Sequence, residues 1–135
     1  MTTTAQTSRA ASDEDNTPPL GELLLRSARN PRERAAVQAL VDEEQLLDRP
    51  NVRSALVTKE NGTMTCQWTH FAGRLYTLSL TDGERAFLSF VAGMVGGRET
   101  SLTWVEELDE RRLAIVLRSL ARLAGCDTIA VGTRL

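Results

Sequence analysis

The chain has 135 residues, 41% hydrophobic and 25% charged, the composition of one ordinary globular domain, which excludes a collagen, a coiled-coil rod and a wholly disordered chain. Fifteen arginines and one lysine stand against 18 acids, for a net charge of -2. With no global positive field to hold nucleic acid or an acidic lipid surface, any such binding has to come from a local patch.

Between Met1 and Leu20 the apolar side chains are alanines, so the start lacks the apolar core of a secretory signal. The greasiest stretch, Ala86 to Val95, is interrupted by Ser89 and Gly93 and falls short of the roughly 20 apolar residues a membrane helix needs. Two cysteines, Cys66 and Cys126, are too few to staple a small secreted scaffold. A cytoplasmic protein with reduced thiols is expected. The excess of arginine over lysine is that of a GC-rich bacterial or phage coding sequence, so arginine clusters are weighed against a high background.

Residues 1–18 are small and polar and contain the acidic run Asp13, Glu14, Asp15; with nothing to bury they are expected to form a disordered tail, leaving 19–135 as a single domain. Leu20, Leu23 and Leu24 share one face of a short helix running to about Arg29. Asn30, Pro31 and Glu33 then form a variant capping box for a second helix, which stops before Asp48-Arg49-Pro50. Val37, Leu40, Val41 and Leu47 make its buried stripe, with Asp42, Glu43 and Gln45 turned to solvent.

Residues 52–60 and 63–71 flank Asn61-Gly62, the pair favoured in a type I′ turn because both central residues need positive φ. The resulting hairpin sets Glu60 opposite Thr63, Val57 opposite Cys66 and Ala55 opposite Trp68. Ala55, Val57, Met64, Cys66 and Trp68 then share its dry face. A third strand, Leu75 to Leu80, is expected after a three-residue loop, with Trp68 opposite Leu78 and Cys66 opposite Leu80.

Thr81 to Glu84 is a capping box opening a helix with Ala86, Phe87, Phe90, Val91 and Met94 at helical spacing, ended by Gly96-Gly97. A break near Asp109 separates a short helix at 103–108 from a helix at 109–124. The break brings the face of Leu113, Val116, Leu117, Leu120 and Ala124 onto the core together with Trp104, Val105 and Leu108. Thr128 to Val131 reads as a terminal strand. The fold class is therefore α+β: two N-terminal helices, a three-stranded antiparallel meander, a C-terminal three-helix unit and a last strand.

Chemistry is sparse. His70 and Cys66, four apart on one strand, would lie ~13 Å from each other, too far to share one ion, and Cys126 does not complete a ligand set; no metal and no cofactor are expected. No GxSxG elbow or CxxC pair is present. The stretch Gly93 to Thr100 has the look of a phosphate loop, but it lacks the lysine and follows a helix, so it reads as a helix stop. Glu106, Glu107, Asp109 and Glu110 sit naturally at a helix start.

One constellation rises above background. On the last helix Arg111, Arg118 and Arg122 gather with Ile115 and Ser119 opposite the leucines, with Arg112 at the edge and no acid on that face. The order of the last helices and strand follows, as a topological analogy only, the winged-helix arrangement, whose third helix enters the major groove. Against that stand the acids at Asp109 and Glu110 and the absence of a second wing strand. The expected function is a small cytoplasmic, non-enzymatic regulatory or interaction protein whose protein partner meets this basic face or the acidic tail. The alternative is a winged-helix-like DNA-binding regulator using helix 109–124. A third class, an enzyme, would need a site that the sequence does not display.

Overall fold

A computed structural model of the protein describes residues 18–96 and 99–134. The acidic leader up to Thr17, and Gly97 and Arg98 of the expected helix stop, lie outside the described residues. The first helix, α1 (Leu20–Ser27), buries Leu24 completely. The second, α2 (Pro31–Glu43), starts as its sequence requires: the Asn30 side chain accepts the Glu33 N–H at 2.9 Å and Pro31 occupies the first turn, satisfying one of the backbone donors a helix start leaves open. It stops earlier than expected, because Glu44 takes a left-handed φ of 75°. The chain then tightens into a 3-10 turn, Leu46–Asp48, that buries Leu46 and Leu47.

The hairpin is present, and shorter than its sequence signal. Strands β1 (Val57–Glu60) and β2 (Thr63–Cys66) pair antiparallel with Glu60 opposite Thr63 and Val57 opposite Cys66. Asn61 and Gly62 take φ of 52° and 79°, the positive values a type I′ turn needs. Both flanks expected as strand are helical instead. Pro50 opens α3 (Pro50–Leu56), which buries Val52, Ala55 and Leu56. Trp68, Phe71, Ala72 and Leu75 are buried by α4 (Trp68–Arg74) and the turn after it. In both segments the apolar residues recur three and four apart, which is helical spacing.

The third strand is absent from the described residues: Leu75 to Leu80 form a turn and loop, so the pairings of Trp68 with Leu78 and of Cys66 with Leu80 do not form. A strand would have paired these backbone groups with a ladder. Instead the Arg85 guanidinium donates to the carbonyls of Leu75, Leu78 and Leu80 at 3.3 to 3.5 Å, meeting part of the demand of buried backbone. The fold class is thus α+β but mostly helical, with a two-stranded sheet in place of the meander.

Helix α5 (Asp82–Val95) is the hydrophobic centre. Its capping box is complete: the Glu84 N–H donates to Thr81 Oγ1 at 3.2 Å and the Thr81 N–H to Glu84 Oε1 at 2.8 Å. It buries Ala86, Phe87, Leu88, Phe90, Val91 and Met94, and packs against α2, α4 and a 3-10 helix at Leu102–Glu107. The last helix, α6 (Glu110–Leu123), is capped by Asp109 Oδ1, which accepts the Arg112 N–H at 2.7 Å. Gly125, at φ 73°, closes it with bonds from Gly125 N–H to the Arg122 carbonyl and from Cys126 N–H to the Ala121 carbonyl, the paired bonds of a Schellman ending. The segment beyond it has no regular secondary structure, so neither the terminal strand at Thr128 to Val131 nor a wing is present among the described residues. No helix among those residues is long and apolar enough to cross a membrane.

Candidate functional site

The site is α6, an amphipathic helix that leaves Arg111, Arg118 and Arg122 exposed, as expected, but is rotated so that part of its leucine face is exposed as well. Packed on α2 and α5, it buries Ile115, Val116 and Ser119, whereas Leu117, Leu120 and Leu123 are 43%, 45% and 36% exposed. Of the leucine face expected in the core, only Val116 is buried, Leu113 is half-buried and Ala124 is exposed. Val105 in the preceding 3-10 helix is also exposed, while Trp104 and Leu108 are partly buried against the core.

A buried carboxylate accounts for the orientation. Glu43, at the end of α2, is fully buried and not turned to solvent as its sequence position implies. Its Oε1 accepts the N–H groups of Gln45 and Leu46 at 2.8 and 2.7 Å, and its Oε2 accepts Nε and Nη2 of Arg112 at 3.3 and 3.1 Å. A charge withdrawn from water has to be paired and hydrogen-bonded, and Arg112 answers it only if this side of α6 faces α2.

The other arginines of the expected binding face follow. Arg111 donates to the backbone carbonyls of Asp42 and Glu43 and lies 3.8 Å from the Glu43 carboxylate. The Arg122 guanidinium lies 3.4 Å from the Asp42 carboxylate. Arg118 donates through Nε and Nη2 to the Val131 carbonyl at 3.3 and 3.2 Å, tying the C-terminal segment back along the helix. Ser119 is fully buried, its hydroxyl donating to the Ile115 carbonyl at 2.8 Å. The structure therefore does bring Arg111, Arg112, Arg118, Arg122 and Ser119 onto one side of α6, but as the seam that joins this helix to α2 and to the C-terminal segment. The face that lacks acids within its own helix meets Asp42 and Glu43 from another.

The remaining candidates are placed apart. Cys66 is buried at the end of β2; burial, with the Glu33 charge adding and Arg29 opposing, pushes its thiol up to about 12, so it stays protonated at neutral pH and is a poor nucleophile. His70 is exposed on α4, and Cys126 is exposed past the end of α6. No group of three metal-ligating side chains comes together among the described residues. Gly93, from the stretch resembling a phosphate loop, is a packing glycine: a side chain there would collide with Thr100 Oγ1, and that hydroxyl donates to the Ser89 carbonyl at 3.2 Å. Glu106, Glu107, Asp109 and Glu110 are exposed about the start of α6.

Sequence reasoning did not identify the outward leucines as accessible. Helix α6 has two sides that could be buried, one of leucines with Val116 and one mixing Ile115 and Ser119 with arginine stems, and periodicity ranks the leucine side higher. No family model, curated protein or solved structure matches the chain.

Proposed function

We propose that the protein is a small regulatory or interaction protein that works by binding a protein partner, and that it docks through the outward face of α6. One observation carries this reading: a strongly amphipathic helix leaves Leu117 and Leu120 exposed while Arg111, Arg112 and Arg122 are engaged by Asp42 and Glu43 of α2. An exposed apolar helix face is the element that helix-to-helix recognition uses. The docking surface thus moves from Arg111, Arg118 and Arg122 to the opposite side of the same helix. The DNA-binding alternative loses its main support, because Asp42 and Glu43 lie among those arginines and would repel phosphates.

The test is affinity capture with the purified chain as bait, comparing wild type with Leu117→Glu/Leu120→Glu and with Arg118→Ala. Leucine-dependent, arginine-independent retention of a protein is the expected result. Retention lost with Arg118→Ala but unaffected by the leucine changes would return the site to the basic side. Retention on duplex DNA at physiological salt would restore the nucleic-acid reading.

A further inference from the structure

Beyond its Schellman ending the chain turns back along α6. Ile129 and Val131 share a cleft of about 640 Å³ with Ala121 and Arg122, and Thr133 shares one of about 520 Å³ with Ala114 and Glu110, near the start of the helix. Residues 127–134 thus retrace the helix on one flank. Their attachment is slight. Among the described residues, the hydrogen bonds that join this segment to the rest of the chain are the two that Arg118 donates to the Val131 carbonyl. Apart from the half-buried Val131 its residues are exposed, and clefts of that size are foreign to the close packing of a core. Thr128, Ile129 and Val131 suit a strand, yet they have no ladder to join.

Ala114 and Ala121 stand three and four residues from Leu117, which makes them its neighbours on the helix surface. A helix with its side chains is about 10 Å across, so an occupant seated over Leu117 and Leu120 also reaches over that flank. The flank is where the C-terminal segment lies. From this overlap, and resting on the docking reading above, we infer that residues 127–134 are an autoinhibitory strap: held by Arg118, they narrow the outward face of α6, and a partner helix has to displace them to seat fully. The strap is displaceable because fixing such a segment costs conformational entropy that two exposed hydrogen bonds to one carbonyl offset only in part. Apparent affinity for the partner then falls with the fraction of molecules whose strap is seated.

Spin labels read the strap, and an uncharged apolar dye, Nile red, reads the face. Labels on Glu110→Cys and Thr133→Cys in the Cys126→Ser chain flank one cleft, while Cys66, buried with its thiol pushed up to about 12, stays unlabelled. They should report one short separation, and a longer, broader distribution once Arg118→Ala is added. A chain ended after Cys126 keeps the N–H that closes α6. It should take up Nile red with about three- to tenfold higher apparent affinity than the full chain, the population factor commanded by one hydrogen-bonded contact to a charged group. Leu117→Glu/Leu120→Glu in the shortened chain should remove that gain. The full-length Arg118→Ala chain serves if the shortened one loses its far-UV helical spectrum, and retention of a captured protein should rise with it by a similar factor.

Labels far apart with Arg118 intact, a dye affinity unchanged by shortening, or a gain indifferent to the leucine changes would each overturn the inference. If the full chain captures a protein through Leu117 and Leu120 and shortening leaves that capture unchanged, the docking reading survives and only the strap fails. If neither chain captures a protein through those leucines, the docking reading fails and the inhibitory role falls with it, whatever the dye shows.

Discussion

Glu43 is a carboxylate with no exposure whose four hydrogen bonds come from two elements. Removing it leaves two backbone N–H groups after α2 without their acceptor and Arg112, which is only 13% exposed, with the exposed Asp109 carboxylate alone at 3.6 Å. Glu43→Ala should therefore destabilise by about 3 to 5 kcal/mol, measured by urea unfolding, whereas a solvent-facing glutamate would change stability by about 0.5 kcal/mol or less.

Glu84 is a second buried acid with a different consequence. Burial pushes its carboxyl up, but the Thr81 N–H and the Arg49 guanidinium beside it outweigh that and hold it below the usual carboxylate value. A carboxyl lowered in the folded state contributes stability that is present above its unfolded pKa of about 4.3 and is lost as pH falls through the folded value. Glu84→Gln should cost about 1 kcal/mol at pH 7, since Arg49 is partly solvated, and its deficit against wild type should shrink steadily below about pH 4.3. Parallel stability curves down to acid would show that the ion pair contributes nothing.

At the scale of elements, the helices that carry strong end signals form where those signals stand. Asn30 with Pro31, Thr81 with Glu84, and Asp109 all cap as their side-chain chemistry allows, since caps are satisfied within a few residues of sequence. The hairpin turn is equally local, and its register follows from Asn61-Gly62. What failed was the extension of the strands: β-branched and aromatic residues at 52–56 and 68–75 suit either structure, and helix won where the apolar spacing met the core.

The orientation of α6 gives the sharpest test at this scale. Ile115→Ala should cost about 2 to 4 kcal/mol as a buried deletion, while Leu117→Ala should stay within about 1 kcal/mol. The reverse order in thermal or urea melts would place the leucine face in the core, as periodicity alone predicts.

At the scale of the whole molecule, the buried set runs from Leu24 to Ser119 and joins α1, the hairpin and the later helices in one core. The sequence of residues 1–17 holds few apolar side chains. Deleting them should shift the melting temperature by no more than about 2 °C, less than one typical stabilising contact is worth in a domain of this size. A fall of several degrees would show that the leader packs on the domain.

The sequence by itself determined the features set by near neighbours: the helix starts, the type I′ turn and its four-pair register, the central helix with Phe87 and Val91, and the α+β class. It could not determine which side of α6 faces inward. That depends on a carboxylate 69 residues away, Glu43 against Arg112, and on the packing of α6 against α2, with Ile115 and Ser119 buried. Local periodicity measures how apolar each side of a helix is. The free energy of burying a side also includes the charge it must neutralise across the interface, and only the tertiary structure brings that charge and its partner together.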